Sequence, residues 1–208
     1  MQTYSNYGKV KMIFIILFSL NFSLLAFAQN FNAQLLVGLN AAQVDRDTYG
    51  GYNQPGLITG ISVFKKANES YNYGLELLFS QKGSQKKTSE DDPNIFKLRY
   101  TYLCMPLFVD LKNTGKNMKK FNIRLGVSNN LKIASKVDFG YGWIENTIKP
   151  YELSGIVGLG YSFNKNLGLM VRHENSILSI GLPGNGSNYR LNRGLYNRLV
   201  SFIFIYQL

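Results

Sequence analysis

The segment Tyr71-Asn72-Tyr73-Gly74-Leu75-Glu76-Leu77-Leu78-Phe79-Ser80-Gln81-Lys82 decides the fold. Tyr71, Tyr73, Leu75, Leu77 and Phe79 fall on one side of a two-residue period, and Asn72, Gly74, Glu76, Ser80 and Lys82 on the other. Strict alternation is the mark of a strand with two different surroundings. The same pattern recurs outward in both directions. Leu35, Val37, Leu39 and Ala41 oppose Gln34, Gly38 and Asn40, and Leu57, Thr59, Ile61 and Val63 oppose Gly60 and Ser62. Downstream, Phe121, Ile123, Leu125 and Val127 oppose Asn122, Arg124, Gly126 and Ser128.

Four further segments complete the set. The stretch from Phe96 to Lys112 places Phe96, Leu98, Tyr100 and Tyr102 against Lys97, Arg99 and Thr101, and Pro106 predicts a bulge because it has no amide to donate. Tyr151, Leu153, Val157, Leu159, Tyr161 and Phe163 oppose Glu152, Ser154, Gly158, Gly160 and Ser162. Leu167, Leu169 and Val171 oppose Gly168, Arg172 and Glu174, and Val200, Phe202, Phe204, Tyr206 and Leu208 share a face of the last segment. Connections near residues 45–54, 83–95, 133–150 and 181–195 are long and rich in Gly, Asn, Asp and Lys, whereas those near 65–70, 113–119 and 164–166 are short. Alternating long and short links predict an all-β, eight-stranded, antiparallel up-and-down barrel.

Such a barrel is greasy inside when it is a soluble carrier and greasy outside when it spans a membrane. Glu76, Arg99, Arg124, Glu152, Arg172 and Glu174 crowd the polar face among Gly and Ser, which suits a lumen where opposite charges pair. The opposite face carries Tyr71, Tyr73, Tyr100, Phe121, Tyr151, Tyr161, Phe163 and Tyr206 toward strand ends, as aromatic belts at the two bilayer interfaces require. Several segments exceed the about 9–11 residues that a tilted strand needs to cross the hydrocarbon. The expectation is a transmembrane barrel with both termini periplasmic and four longer loops outside.

Among 208 residues there is one His, one Cys and one Trp, so neither an intramolecular disulfide nor a zinc site is expected. Lys9 and Lys11 precede an apolar run from Met12 that ends in Ala26-Phe27-Ala28. Basic region, apolar region and A-x-A site make a secretory signal peptide over residues 1–28, cleaved after Ala28, leaving a barrel domain over 29–208. No Cys follows the cleavage site to take acyl chains.

Gly38-Leu39-Asn40, Ser80-Gln81-Lys82-Gly83-Ser84 and Tyr102-Leu103-Cys104-Met105-Pro106-Leu107, with the order of Gly-rich strands, resemble the PorT-like outer-membrane β-barrel family of Gram-negative bacteria. Where that family often has an acidic residue in the fourth strand, this chain has Cys104. The resemblance implies the cell outer membrane and, through the family's founding member, a link to export of surface proteins.

The charged set is expected to plug the lumen, since eight strands leave a barrel just wide enough for its own side chains. The function that follows is non-enzymatic: a structural or interaction role in the cell envelope, with a narrow pore or binder for a small solute as the alternative. His173 beside Arg172 and Glu174 is the one hint of hydrolysis, but no G-x-S-x-G or similar motif supplies a nucleophile. Cys104 is expected to be a small hydrophobe. No cofactor is expected. The net charge of +11 leaves two readings for Lys82, Lys86, Lys87, Lys132, Lys136 and Lys149 near the long loops: contact with lipopolysaccharide phosphates, or solvated lysines. The expected partners are outer-membrane lipid and lipopolysaccharide, the assembly machinery through the C-terminal strand, and envelope or secretion proteins. An exported chain does not meet nucleic acid.

Overall fold

The computed structural model describes residues 31–47, 49–86, 88, 90, 93–112, 120–181 and 194–208. The leader and its cleavage site lie outside these residues, as does Lys87. Strands β1 (Phe31–Asp45), β2 (Gln54–Lys66), β3 (Tyr71–Gln85), β4 (Lys97–Lys112) and β5 (Phe121–Asp138) are followed by the three-residue β6 (Trp143–Glu145), then β7 (Tyr151–Ser162), β8 (Leu167–Ser176) and β9 (Tyr196–Gln207). Each barrel strand is antiparallel to its neighbours, in the order β4-β3-β2-β1-β9-β8-β7-β5, and β4 pairs with β5 to complete the ring. β6 stands outside that ring as a hairpin strand on the end of β5. The seam between the first and last strands runs unbroken from Gln34↔Gln207 to Asp45↔Tyr196. Eight strands close on themselves, so no edge is left unpaired.

Closure needs two backbones to approach closely, and glycines stand where they do. A Cβ on Gly38 would strike the carbonyl oxygen of Phe202 and reach Ile203 Cα at 2.8 Å across the seam. Gly83, at φ 145°, sits where a Cβ would meet the Leu98 carbonyl, which explains a glycine directly after Lys82.

The faces follow the alternation. Leu39 and Phe204 are each 65% exposed, and Val37, Leu75, Leu77, Leu107, Leu125, Val157, Leu159 and Phe202 lie open on the same outer surface. Such a band far exceeds the few hundred square ångströms of apolar patch that soluble monomers carry. From Tyr71 to Phe79 it extends about 27 Å along β3, or about 21 Å in height at a tilt near 40°.

Two local expectations are corrected here. Pro106 makes no bulge: Leu75↔Leu107 and Leu78↔Cys104 keep one register on either side of it. The irregularity lies between Thr101 and Tyr102, where β5 carries Ile133 as its extra residue and its inward parity passes from Lys132 to Ser135. The fifth strand also runs ten residues past Ser128, so the expected 133–150 loop is, from 133 to 145, a β5–β6 hairpin.

Candidate functional site: a filled lumen and an aromatic crown

The lumen holds two ionic clusters. In the first, Arg124 on β5 grips Asp110 on β4 with two parallel bonds, Nε to Oδ1 and the second guanidinium nitrogen to Oδ2, both 2.7 Å. Its remaining nitrogen donates to Glu76 Oε1 on β3, and Arg172 on β8 donates to the same oxygen at 2.8 Å. The Arg124 guanidinium also lies over the Phe108 ring, 3.7 Å from its centre. Two cations and two carboxylates cancel.

In the second cluster Lys82 Nζ donates to Glu174 Oε1 at 2.6 Å and Glu152 Oε1 at 3.1 Å. Glu152 further accepts from Ser154 and Ser176, both at 2.7 Å, and from Asn197 at 2.8 Å. Asn130 reaches Glu174 at 3.1 Å. These side chains come from β3, β5, β7, β8 and β9, so the cluster braces the barrel across its width. Asn40 repeats the device on the other wall, donating to Ser80 Oγ and the Gln81 carbonyl and accepting from Ser201. Much of the remaining interior is one apolar cluster, which includes Leu36, Val44, Ile58, Leu78, Leu98, Tyr100, Val137, Ile148, Met170, Ile180 and Ile203. A lumen packed this way holds its charges only because nearly all of them are paired.

The long-loop end is different. Tyr49, Phe96 and Phe139 stack in sequence, with ring centroids 4.4 and 5.7 Å apart, and bring three connections together. In the first of these, burial raises the Asp47 carboxyl above its ordinary range, partly offset by bonds from the Ser84 hydroxyl and the Tyr49 amide. Asp138 Oδ1 accepts from the amides of Gly140 at 2.8 Å and Gly142 at 3.1 Å, tying the β5–β6 turn. Both glycines have positive φ, and the turn projects Tyr141 fully into the open. Beside it Trp143 is half exposed, with the Arg99 guanidinium 5.0 Å from its ring centre.

A closed eight-stranded ring, greasy outside and ion-paired inside, is matched over residues 27–180 by the family model described as outer membrane protein beta-barrel domain. The chain belongs to that family. No curated protein matches it in sequence. Among solved structures, Neisserial surface protein A superposes with a TM-score of 0.52 at 16% identity, over 86% of this chain and 98% of that one. Ail, the attachment invasion locus protein of Yersinia pestis, superposes with a TM-score of 0.51 at 12% identity, over 86% of this chain and all of Ail. At such identities the likeness shows the fold.

In an outer membrane protein beta-barrel domain the exposed band faces lipid, and the aromatic residues can be placed on it. Tyr71, Tyr73, Phe121, Tyr161, Phe163 and Tyr206 all stand on the outer surface at the end that carries the short turns and both strand termini. Phe121, Tyr161 and Phe163 touch in series, with centroids 4.8 and 5.3 Å apart. Tyr151 stands on the outer surface at the opposite, long-loop end, where Tyr100, the remaining member of the set, turns inward.

Of the charged set, Glu76, Arg124, Glu152, Arg172 and Glu174 are buried in the lumen. Arg99 and Tyr100 are the wrong way round in the sequence-based reading: Arg99 projects outward onto Trp143, while Tyr100 is wholly buried inside. On β4 the inward residues at this height are Leu98, Tyr100 and Tyr102, so an alternation read as charge-in and aromatic-out inverts. Lys82, read as a loop lysine, is the central cation of the second cluster, and Lys132 turns its ammonium to the Ile148 carbonyl at 2.7 Å. Lys136 and Lys149 are exposed. Asp110, Asn130 and Asn197 were missed; the alternation continued through Pro106 would have placed Asp110 in the lumen.

Cys104 is buried on the inner wall, between Leu78 and Asn130 on the neighbouring strands. His173 faces outward with Val157 and Val200 as its ladder partners, away from the inward-facing Arg172 and Glu174. Among the described residues no group of three or more His, Cys, Asp or Glu is placed to hold a metal ion.

Proposed function

We propose that this outer-membrane barrel acts without catalysis as an interaction module, anchored by its filled barrel and engaging an envelope or extracellular partner through the crown around Tyr141 and Trp143. The observation that carries the reading is the tied β5–β6 turn. Exposed aromatic side chains held by a preorganised turn have little ordering entropy left to lose, which is what an interface centre needs. A packed lumen supports the same reading over a solute pore. Ail, which shares the fold, is also solved with the heparin analogue sucrose octasulfate, so a barrel of this kind can carry a binding surface.

In this reading residues 1–28 are the cleaved leader, 29–208 form the mature barrel, and the loops bearing the crown face outward from the cell. The outward Phe202, Phe204, Tyr206 and Leu208 form the strand that assembly machinery reads. Lys136 and Lys149 meet lipopolysaccharide phosphates. The PorT-like resemblance makes a partner in surface-protein export the finer form of the proposal.

The test uses the buried Cys104 as a silent background. Tyr141→Cys in intact cells should react with a membrane-impermeant maleimide while the parent does not. A photo-crosslinker at residue 141 should then capture a partner, and Trp143→Ala should diminish that capture with heat-modifiable gel migration unchanged. Absence of surface labelling, or capture unaffected by Trp143→Ala, refutes the proposal.

A further inference from the structure

The mouth at the short-turn end is concave, cationic and unlike the ion-paired interior above it. The antiparallel register sets Lys66, Asn72, Asp110, Arg124 and Gly158 opposite one another across five strands, and places Lys112 opposite Asn122 and Asn122 opposite Gly160 in the next row toward the opening. All belong to the inward-facing parity of their strands. Together with Lys165 from the β7–β8 turn they line a cavity of about 210 Å³ that opens to solvent.

Its charge is unbalanced. Asp110 is the cavity's carboxylate, and both of its oxygens are already taken by Arg124. Lys66, Lys112 and Lys165 make no ion pair among the described residues, and Lys66 is near enough to Lys112 for their charges to repel. Two carboxamides add hydrogen-bonding capacity. Asn72 is only 4% exposed, yet its Oδ1 has no partner. Asn122 lies over Gly160, where a Cβ would meet its Cγ at 2.9 Å and its Nδ2 at 3.0 Å, so the absence of a side chain on β7 is what gives the amide its place. An amide can be turned to present its NH₂ group to an anion.

We infer that this mouth binds a phosphoryl group, with Lys66, Lys112 and Lys165 supplying charge and Asn72 and Asn122 supplying directed hydrogen bonds. Ammonium groups act as point charges toward phosphate, and a concave low-dielectric wall strengthens their combined field. The group can arrive as a free phosphate ion or as the headgroup of a phosphomonoester lipid. The site goes beyond the crown proposed above and stands at the other end of the barrel, so either can fail alone.

The test is calorimetric titration of the full barrel, in a non-ionic detergent free of phosphate, with inorganic phosphate and separately with monomeric dihexanoyl phosphatidic acid. Phosphate should bind, and the Lys66→Gln/Lys112→Gln variant should bind about tenfold or more weakly, while Lys97→Gln at the other end changes nothing. Added sodium chloride should weaken binding through screening. Phosphatidic acid binding tenfold tighter than phosphate, with the same sensitivity to the variant, assigns the site to a lipid headgroup; equal affinities assign it to the free ion. Heat-modifiable migration verifies that each variant remains a barrel, and Lys66→Gln/Lys165→Gln serves if the first pair does not fold. No heat with either probe, or binding indifferent to these lysines, overturns the inference.

Discussion

Replacing Lys82 with methionine removes the central cation of the second lumen cluster while keeping a chain of similar length. Glu152 and Glu174 both contact Lys82 Nζ, at 3.1 and 2.6 Å, so without it two buried carboxylates face each other. At about 6 Å and an effective dielectric constant near 20, their repulsion alone is about 3 kcal/mol. Breaking a buried pair by deleting one partner costs about 3–5 kcal/mol in total. The two acids are not equivalent. Glu152 keeps Ser154, Ser176 and Asn197, whereas Glu174 keeps only Asn130 among the described residues. Adding Glu174→Gln to Lys82→Met should therefore restore about 3 kcal/mol by removing the repulsion. The assay is urea unfolding of barrels reconstituted in lipid vesicles, followed by gel mobility and by fluorescence of the single Trp143. A loss below about 1 kcal/mol for Lys82→Met, or no recovery on adding Glu174→Gln, would refute the reasoning by showing that water, not Lys82, compensates the acids.

Gly38→Val should prevent closure of the β1–β9 seam, since the new side chain meets the Phe202 carbonyl and Ile203 Cα, and the heat-modifiable gel form should vanish. Asp138→Ala removes the acceptor for the Gly140 and Gly142 amides; barrel stability should stay within about 0.5 kcal/mol, while partner capture through residue 141 falls several-fold. The wild-type barrel in planar bilayers should give no stepwise current, because ions and packed apolar side chains fill the lumen; single-channel steps would revive the narrow-pore reading.

How far the sequence could be read follows from where lipid imposes a contrast between faces. Through the band from Tyr71 to Phe79 the outer wall is apolar and the inner wall carries Asn72, Glu76 and Ser80, so one rule assigns both sides. The same rule places Arg124, Glu152, Arg172 and Glu174, and the alternating lengths of the connections supply the strand order. Around Leu98 to Tyr102 the inward residues of β4 are themselves apolar or aromatic, and they cluster with Val44, Val137, Ile148 and Ile180 beside the buried Ser84 and Ser135. Arg99 and Lys136 are then free to face outward, and Tyr100 turns in. Lys82 escaped notice for a related reason. It stands beside Gly83 and within a few residues of Lys86 and Lys87, and it reads as loop composition although the alternation that places Glu76 inward continues through it.

That contrast also explains why ions occupy the lumen at all, when a well-packed apolar filling would stabilise the barrel at least as well. A strand slipped by one residue exchanges its faces. With apolar residues on both sides the slip would cost little, and several registers would compete. Here a slip of β3, β5 or β8 turns Lys82, Arg124 or Arg172 onto the outer face, at a cost that reaches about 2–4 kcal/mol at the bilayer midplane and falls toward the interfaces, and it orphans the carboxylate partners as well. The penalty selects one register per strand, and the ion pairs of the correct register then recover the desolvation cost across the lumen. Above the membrane the penalty disappears, the strands of the β4–β5–β6 corner invert their polarity, and Tyr141 and Trp143 stand exposed.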